Sequence, residues 1–204
     1  MHSVLVEDKA ITPSKILCVG RNYLEHIQEL NNAVPEEMVV FNKPNSGISE
    51  QLMSYSGERL HYEAEICFVV EGGTYSAVGV GLDLTKRQLQ STLKSKGLPW
   101  ERAKAFDGSA LFSRFIPLHD IDVDTLQIEL LINCVRVQRG DVGQMMYSPE
   151  MILQELQSYT SLHDGDIVMT GTPKGVGEVH QGDKFLCRLI SEGDILLEVE
   201  WQAQ

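Results

Sequence analysis

The sequence predicts an α+β domain in which β-structure dominates. Short apolar runs with strand character recur along the 204 residues, and clusters of Gly, Pro, Asn and Asp punctuate them. Only a few stretches have the spacing and flanking residues of helices. Several strands with a few inserted helices define that class.

Residues 4–6 read as a short strand, and 15–19 as a buried strand ending at Gly20. Asn22, with Glu25 three residues on, has the form of a capping box. It predicts a helix through about Leu30 that places His26 and Glu29 on one face. Pro35 breaks that pattern. Residues 38–41 are strand-like, Pro44-Asn45-Ser46-Gly47 is a turn cluster, and 45–60 reads as a loop. Strands are expected at 62–70 and 77–82, with Gly72-Gly73 between them. Thr85 is placed to cap a helix over 86–96, ended by Gly97 and Pro99; Asp107-Gly108-Ser109 is a turn. In the last third, 126–132 has a hairpin partner in 135–138. Ser148-Pro149-Glu150 opens an amphipathic helix to about Tyr159, with Pro at the first helical position and Ile152, Leu153 and Leu156 as its core stripe. Asp164-Gly165 turns into a strand at 166–170, and 184–190 pairs with 196–201 across Ser191-Glu192-Gly193. No repeat or linker divides the chain. One catalytic domain over 1–204 is expected, with a short N-terminal extension of about residues 1–14.

Hydrophobic residues make up 43% of the chain and charged residues 23%, as in an ordinary globular protein. The net charge of −12 argues against nucleic acid and anionic lipid as partners. An anionic substrate would need a local positive centre. Cys18, Cys67, Cys134 and Cys187 lie far apart, without zinc or redox spacing. Cys18, Cys67 and Cys187 stand in apolar runs, where inert buried thiols are expected. No stretch approaches a membrane span. A cytoplasmic compartment is expected, with an organellar matrix open.

The strongest chemical signal is His61-Tyr62-Glu63-Ala64-Glu65, which leads into the apolar run 66–70. On a strand, residues two apart share a face, so Glu63 and Glu65 point the same way. Burying two unpaired like charges together is costly, and a divalent cation relieves that cost. Asp83, at the end of a second apolar stretch, can supply a third oxygen. Three carboxylates suit one Mg²⁺ or Mn²⁺ per chain. A Glu-x-Glu strand is also a common solvated face, and spacing alone does not decide between the two.

Six segments, in order, resemble the fumarylacetoacetate hydrolase family. They are Gly20-Arg21-Asn22-Tyr23 followed by His26 and Glu29; Phe41-Asn42-Lys43-Pro44; His61–Glu65; Leu82-Asp83-Leu84-Thr85-Lys86-Arg87 with Gln90; Gly97-Leu98-Pro99-Trp100 with Ala103-Lys104-Ala105-Phe106-Asp107; and Gly171-Thr172-Pro173-Lys174-Gly175-Val176-Gly177. The likeness runs from about Lys15 to the C-terminus and points to the short single-domain branch of acylpyruvate hydrolases and oxaloacetate decarboxylases. It implies a mixed β-sandwich roll with a few helices, and a homodimer. The segment between Glu65 and Asp83 is shorter than in that family and lacks a surface helix. Gln88 stands where many relatives have Asp, Ala110-Leu111 replaces a Cys-Pro-like pair, and Asn133-Cys134 stands at a hairpin tip where Asn-Gly is common.

The resemblance assigns Glu63, Glu65 and Asp83 to the metal, and His26, Glu29 and Lys104 to catalysis. On spacing alone His26 and Glu29 are an ordinary helix-surface pair, and a lone Lys such as Lys104 is commonly solvated; the motif context reverses both readings. In that reading Glu29 orients His26 as a base, and Lys104 balances the carboxylates or meets the substrate. Arg21, Lys43, Arg87, Gln90 and Thr172 are expected to hold the substrate, with surface roles open for Arg87. The glycine-rich loop lacks P-loop spacing. His61 is expected beside the ligands without being one, and His2, His119, His163 and His180 in solvent. The implied reaction is cleavage of a C–C bond in 3-acylpyruvates through a metal-stabilised pyruvate enolate. Alternatives are oxaloacetate decarboxylation, isomerisation or hydration of an unsaturated hydroxy-diacid in aromatic catabolism, and a non-enzymatic 2-oxo-acid binder.

Overall fold

Alternating apolar residues build two sheets whose inner faces meet over the core. The structure, a computed structural model, describes residues 1–30 and 33–204. In chain order come β1 (Val4–Val6), β2 (Lys9–Ile11), β3 (Lys15–Gly20), α1 (Leu24–Glu29), β4 (Val39–Pro44), β5 (His61–Tyr62), β6 (Ala64–Glu71) and β7 (Thr74–Asp83). Then follow α2 (Arg87–Ser95), α3 (Glu101–Lys104), β8 (Ala110–Phe112), β9 (Ile116–Pro117), β10 (Leu126–Ile132) and β11 (Val135–Asp141). The remainder is α4 (Pro149–Tyr159), β12 (Ile167–Met169), β13 (Gly177–Glu178), β14 (Lys184–Ser191) and β15 (Asp194–Gln202).

The larger sheet has the order β4-β3-β12-β6-β7-β8, with β9 pairing beside β8 on β7. Among its described strand pairs, only β12 with β3 is parallel. The other main sheet, β11-β10-β14-β15, is antiparallel throughout. Ile66, Phe68, Val78, Val80 and Leu82 of the first sheet pack with Ile128, Leu130, Phe185, Cys187 and Leu189 of the second. On another face of the larger sheet, Ile152 and Leu156 of α4 cover Leu17, Val19, Val70 and Val168. Each such side chain, fully buried, contributes about 1.5–3 kcal/mol. This is the expected α+β, mainly β roll. As the sequence indicated, β6 and β7 are joined directly across Gly72-Gly73, with no helix between them.

The pairing rule gathers four chain ends at one edge of the larger sheet. β3 and β12 are parallel and finish there, β6 begins there, and β7, antiparallel to β6, ends there with Asp83.

Two expected caps are not caps. The residue preceding α1 is Tyr23, without a side-chain cap, because the fully buried Asn22 is bonded elsewhere. Its amide donates to the carbonyls of Tyr147 and Thr170 and accepts from Tyr147 N–H. Glu25 pairs instead with Lys174 at 2.8 Å. Before α2 stands Lys86, while Thr85 forms a backbone bridge to His61. In both cases tertiary partners outcompete a local cap. The sequence also gave no sign of α3, β2, β8, β9 or β13, all too short to show periodicity, and β11 runs three residues beyond the expected 138. At the β10–β11 tip, Asn133 and Cys134 both have positive φ, 50° and 67°, the backbone of a two-residue hairpin turn.

Asp166 anchors the opposite end of β12. It is fully buried and accepts from Ser14 N–H and Oγ, Lys15 N–H and Nζ, and His163 N–H. Burial pushes its carboxyl up, but the bonds from Lys15 and Ser14 outweigh this and hold it below its ordinary 3.8. The lowered folded-state value means that its contribution is present above about pH 3.8 and is lost as pH falls through the folded value. Asp166→Ala is expected to cost about 3 kcal/mol by urea denaturation at pH 7, and less at the lowest pH below 3.8 at which the fold persists. An equal cost at both pH values would contradict this electrostatic role.

Candidate active site

At the four chain ends, Glu63, Glu65 and Asp83 converge. One carboxylate oxygen from each lies within 4.8 Å of the others. Glu63 and Glu65 share a face because they stand two apart where the chain enters β6. Asp83 reaches them because the β6–β7 ladder pairs Ala64 with Leu82 and carries the Asp83 N–H to the Glu63 carbonyl at 2.8 Å. All three are buried, at 6%, 2% and 0% exposure, so the solvated-face alternative does not hold.

Lys104, at the end of α3, reaches into the cluster. Its Nζ lies 2.7 Å from Glu63 Oε2, Asp83 Oδ2 and Thr85 Oγ1. Burial pulls its pKa down, yet Asp83 and Glu63 outweigh that and raise it above the ordinary lysine value. Glu63 has a second cation in Arg87, which also donates to Gln90 at 3.0 Å. Burial acts to raise Glu63, but Lys104 and Arg87 hold it well below the usual range. Glu65 differs. Its polar contact is the Gly171 N–H at 2.8 Å, and burial together with Asp83 and Glu63 pushes it well above the ordinary carboxylate range. A divalent cation would supply the positive charge that Glu65 lacks. Three hard oxygen donors fit Mg²⁺ or Mn²⁺.

Across the cleft stands α1. His26, 6% exposed, has Nδ1 3.3 Å from Glu29 Oε2. Burial lowers its pKa from 6.5, which favours the neutral ring at pH 7. With Nδ1 donating to Glu29, Nε2 carries the free lone pair. Glu29 also accepts from the Gly175 N–H at 3.0 and 3.2 Å, which ties the dyad to the loop over 171–177. That loop needs its glycines. Gly171 has φ +100° and Gly175 φ +102°, and a Cβ at 175 would stand 1.9 Å from the Val137 carbonyl oxygen.

The cleft is lined by Arg21, His26, Glu63, Glu65, Asp83, Arg87, Gln90, Lys104 and Thr172. Glu29 stands behind His26. The Thr172 hydroxyl is already engaged, donating to the Ala64 carbonyl and accepting from Gln138, each at 2.8 Å. Lys43 is the exception among the expected substrate contacts, because it does not line the cleft. It is fully buried, 2.8 Å from Asp83 Oδ1. The same ammonium donates to the carbonyls of Leu84, Lys104 and Ser109, so it is an internal counter-charge. His61 is half-buried beside Glu178 and outside the acidic group. The other four histidines are exposed. Val19, Gly20, Leu30, Phe41, Lys94 and Trp100 complete the wall. Lys94 was not singled out in the sequence, although Arg87, Gln90 and Lys94 have the spacing of one helix face. The cavity is small, about 30 Å³, the space of one or two waters. No helix among the described residues is long and apolar enough to cross a membrane.

These features describe an enzyme-like pocket built around an acidic metal-type cluster on a β-roll. A family profile described as fumarylacetoacetate (FAA) hydrolase C-terminal matches residues 15–201. An oxaloacetate tautomerase of Escherichia coli K12, YcgM, is 35% identical over 189 residues, covering 84% of this chain and 86% of the relative. The Homo sapiens mitochondrial oxaloacetate tautomerase FAHD1 is 37% identical over 186 residues, covering 83% and 84%. The crystal structure of fumarylpyruvate hydrolase from Pseudomonas aeruginosa in complex with Mn²⁺ and pyruvate superposes with a TM-score of 0.89. It is 28% identical, covering 99% of this chain and 95% of that one. The chain belongs to the fumarylacetoacetate hydrolase family.

Mn²⁺ at about a hundred times its dissociation constant is expected to stabilise the protein by about 2.7 kcal/mol, a rise of roughly 5–10 °C in melting temperature. Asp83→Asn is expected to abolish most of that rise in a thermal shift titration. A wild-type-sized rise in the variant would place the ion elsewhere.

Proposed function

We propose that this protein is a divalent-metal-dependent enzyme that enolises a small 2-oxo acid, and that it interconverts the keto and enol forms of oxaloacetate. The observation that carries the reading is a buried histidine, bonded through Nδ1 to Glu29, that lines the same small cavity as a buried acidic triad. The names of the tautomerase relatives support the choice of substrate.

The proton inventory is simple. His26 Nε2 takes a proton from C3 of the keto acid and returns one to the 2-oxygen, so atoms and charge balance. Glu29 holds the ring in the tautomer this needs and stabilises it once protonated. Lys104 lends positive charge to the oxygen as it gains electrons. Its three protons are already taken by Glu63, Asp83 and Thr85, so in this arrangement its contribution is charge. A divalent ion held by Glu63, Glu65 and Asp83 would polarise the keto group of a bound 2-oxo acid. Arg87 and Gln90, already joined to each other, stand in the lining where the carboxylate beside the keto group would lie. Movement of α1 would admit the substrate and close water out.

A second reading uses the same parts. With a longer 3-acylpyruvate, His26 would activate water against the C4 carbonyl and pyruvate enolate would leave. The fumarylpyruvate hydrolase likeness and the His26–Glu29 geometry favour it over decarboxylation, which needs no base. A homodimer is part of the proposal, with sedimentation as its check.

His26→Ala is expected to lower kcat for oxaloacetate tautomer exchange about 10²–10⁴-fold, followed by ultraviolet absorbance of the enol, with KM changed little. Any metal-dependent decarboxylation should survive better. Because the base form is required and burial lowers its pKa, the rate should hold above pH 6.5 and fall only at lower pH. Exchange at the wild-type rate in the variant would remove His26 from the reaction.

A further inference from the structure

The wall of the cleft carries a cation that the proposed chemistry does not use. We infer that Lys94 grips a second carboxylate of the substrate, which makes the preferred substrates 2-oxo dicarboxylates. This rests on the enolising reading above and assigns to one residue the selection of a dicarboxylate over a monocarboxylate substrate.

Lys94 lies seven residues beyond Arg87 and four beyond Gln90 on α2, on the same helix face and in the lining of the same cleft. Its ammonium stands 4.6 Å from the centroid of the Trp100 ring. Arg87 is paired with Glu63, and Lys104 with Glu63 and Asp83. Among the described residues no carboxylate lies within ion-pair distance of Lys94; the aromatic face is its recorded partner. Its charged neighbours are mostly cations. Burial, then Arg21, Arg87 and Lys104, push its pKa down to about 8.

That arrangement runs against the rest of the chain. In a protein with 29 acidic and 17 basic residues, a half-buried lysine is held among three other cations without an acidic partner. The ring offsets only part of that cost. The cleft lining has four cationic side chains, Arg21, Arg87, Lys94 and Lys104, and three carboxylates. A divalent ion in the triad would raise the excess to three positive charges. A monocarboxylate would remove one of them, and a dicarboxylate two.

Position agrees with charge. Four residues of helix separate Gln90 and Lys94 by about 6 Å along the axis, and Arg87 lies about one turn further toward the N-terminus on the same face. A short diacid with its near carboxylate beside Arg87 and Gln90 would present its far carboxylate toward Lys94. A methyl ketone would leave that ammonium unpaired.

Two probes separate the ends of the substrate: 3,3-difluoro-oxaloacetate, with both carboxylates and no C3 proton to lose, and pyruvate, with one carboxylate. Their affinities for the Mn²⁺-loaded protein are read by calorimetry. Wild type is expected to prefer the diacid by tenfold or more. K94M should lose about tenfold to a hundredfold in diacid affinity and stay within twofold on pyruvate. K94R should retain the preference, and K94Q, which keeps a polar tip at this half-exposed position, should lose it as K94M does. No preference in wild type, an undiminished preference in both neutral variants, or equal weakening of both probes overturns the assignment. Tautomer exchange of oxaloacetate is measured in parallel. If the binding preference depends on Lys94 but no exchange occurs, the reaction proposed above falls and the selectivity stands.

Discussion

The contact of Lys104 with Glu63 and Asp83 is what allows the rest of the site to exist. Two unit charges about 4 Å apart at a protein-like effective dielectric interact by roughly 4 kcal/mol, and this site packs three acids at 6% exposure or less. Lys104 offsets two of them from one side, and Lys43 forms an ion pair with Asp83 while its three protons go to backbone carbonyls. Glu65 is left with one backbone N–H. The protein thus stabilises a nearly complete acidic cluster and leaves one member in need of a cation. Such residual need favours binding over permanent neutralisation.

Topology brings the cluster together, and small constraints hold it. Threading β12 between β3 and β6 puts the loop after Thr170 beside the start of β6, where Gly171 N–H meets Glu65. Two glycines at positive φ let that loop pass close to Val137 of β11 and to Val19 and Asn22 ahead of α1. The same loop donates through Gly175 to Glu29. Metal-type ligands and histidine dyad therefore share one short segment, and a shift of α1 is felt on both sides of the cleft.

Much of this was legible in the sequence, for identifiable reasons. Period-two alternation sufficed to set Glu63 and Glu65 on one face, and the end of an apolar run marked Asp83. Lys104 could not be read that way, because one lysine in a four-residue helix has no periodicity to reveal it; the motif around it was needed. Asn22 and Thr85 were misread as caps because the polar groups that cap helices also serve tertiary partners, and spacing does not distinguish the two. Lys43 was misplaced since nothing local tells a buried counter-charge from a substrate anchor. Lys94 shares a helix face with Arg87 and Gln90 in the spacing, but spacing does not show that this face lines a cleft.

The chemistry of the site depends on one ion position. X-ray diffraction from crystals grown with Mn²⁺, collected at the manganese absorption edge, locates that ion without reference to activity. One anomalous peak per chain, bounded by oxygens of Glu63, Glu65 and Asp83, is the predicted result. A peak elsewhere, or none with the three carboxylates held only by Lys104, Lys43 and Arg87, would contradict it.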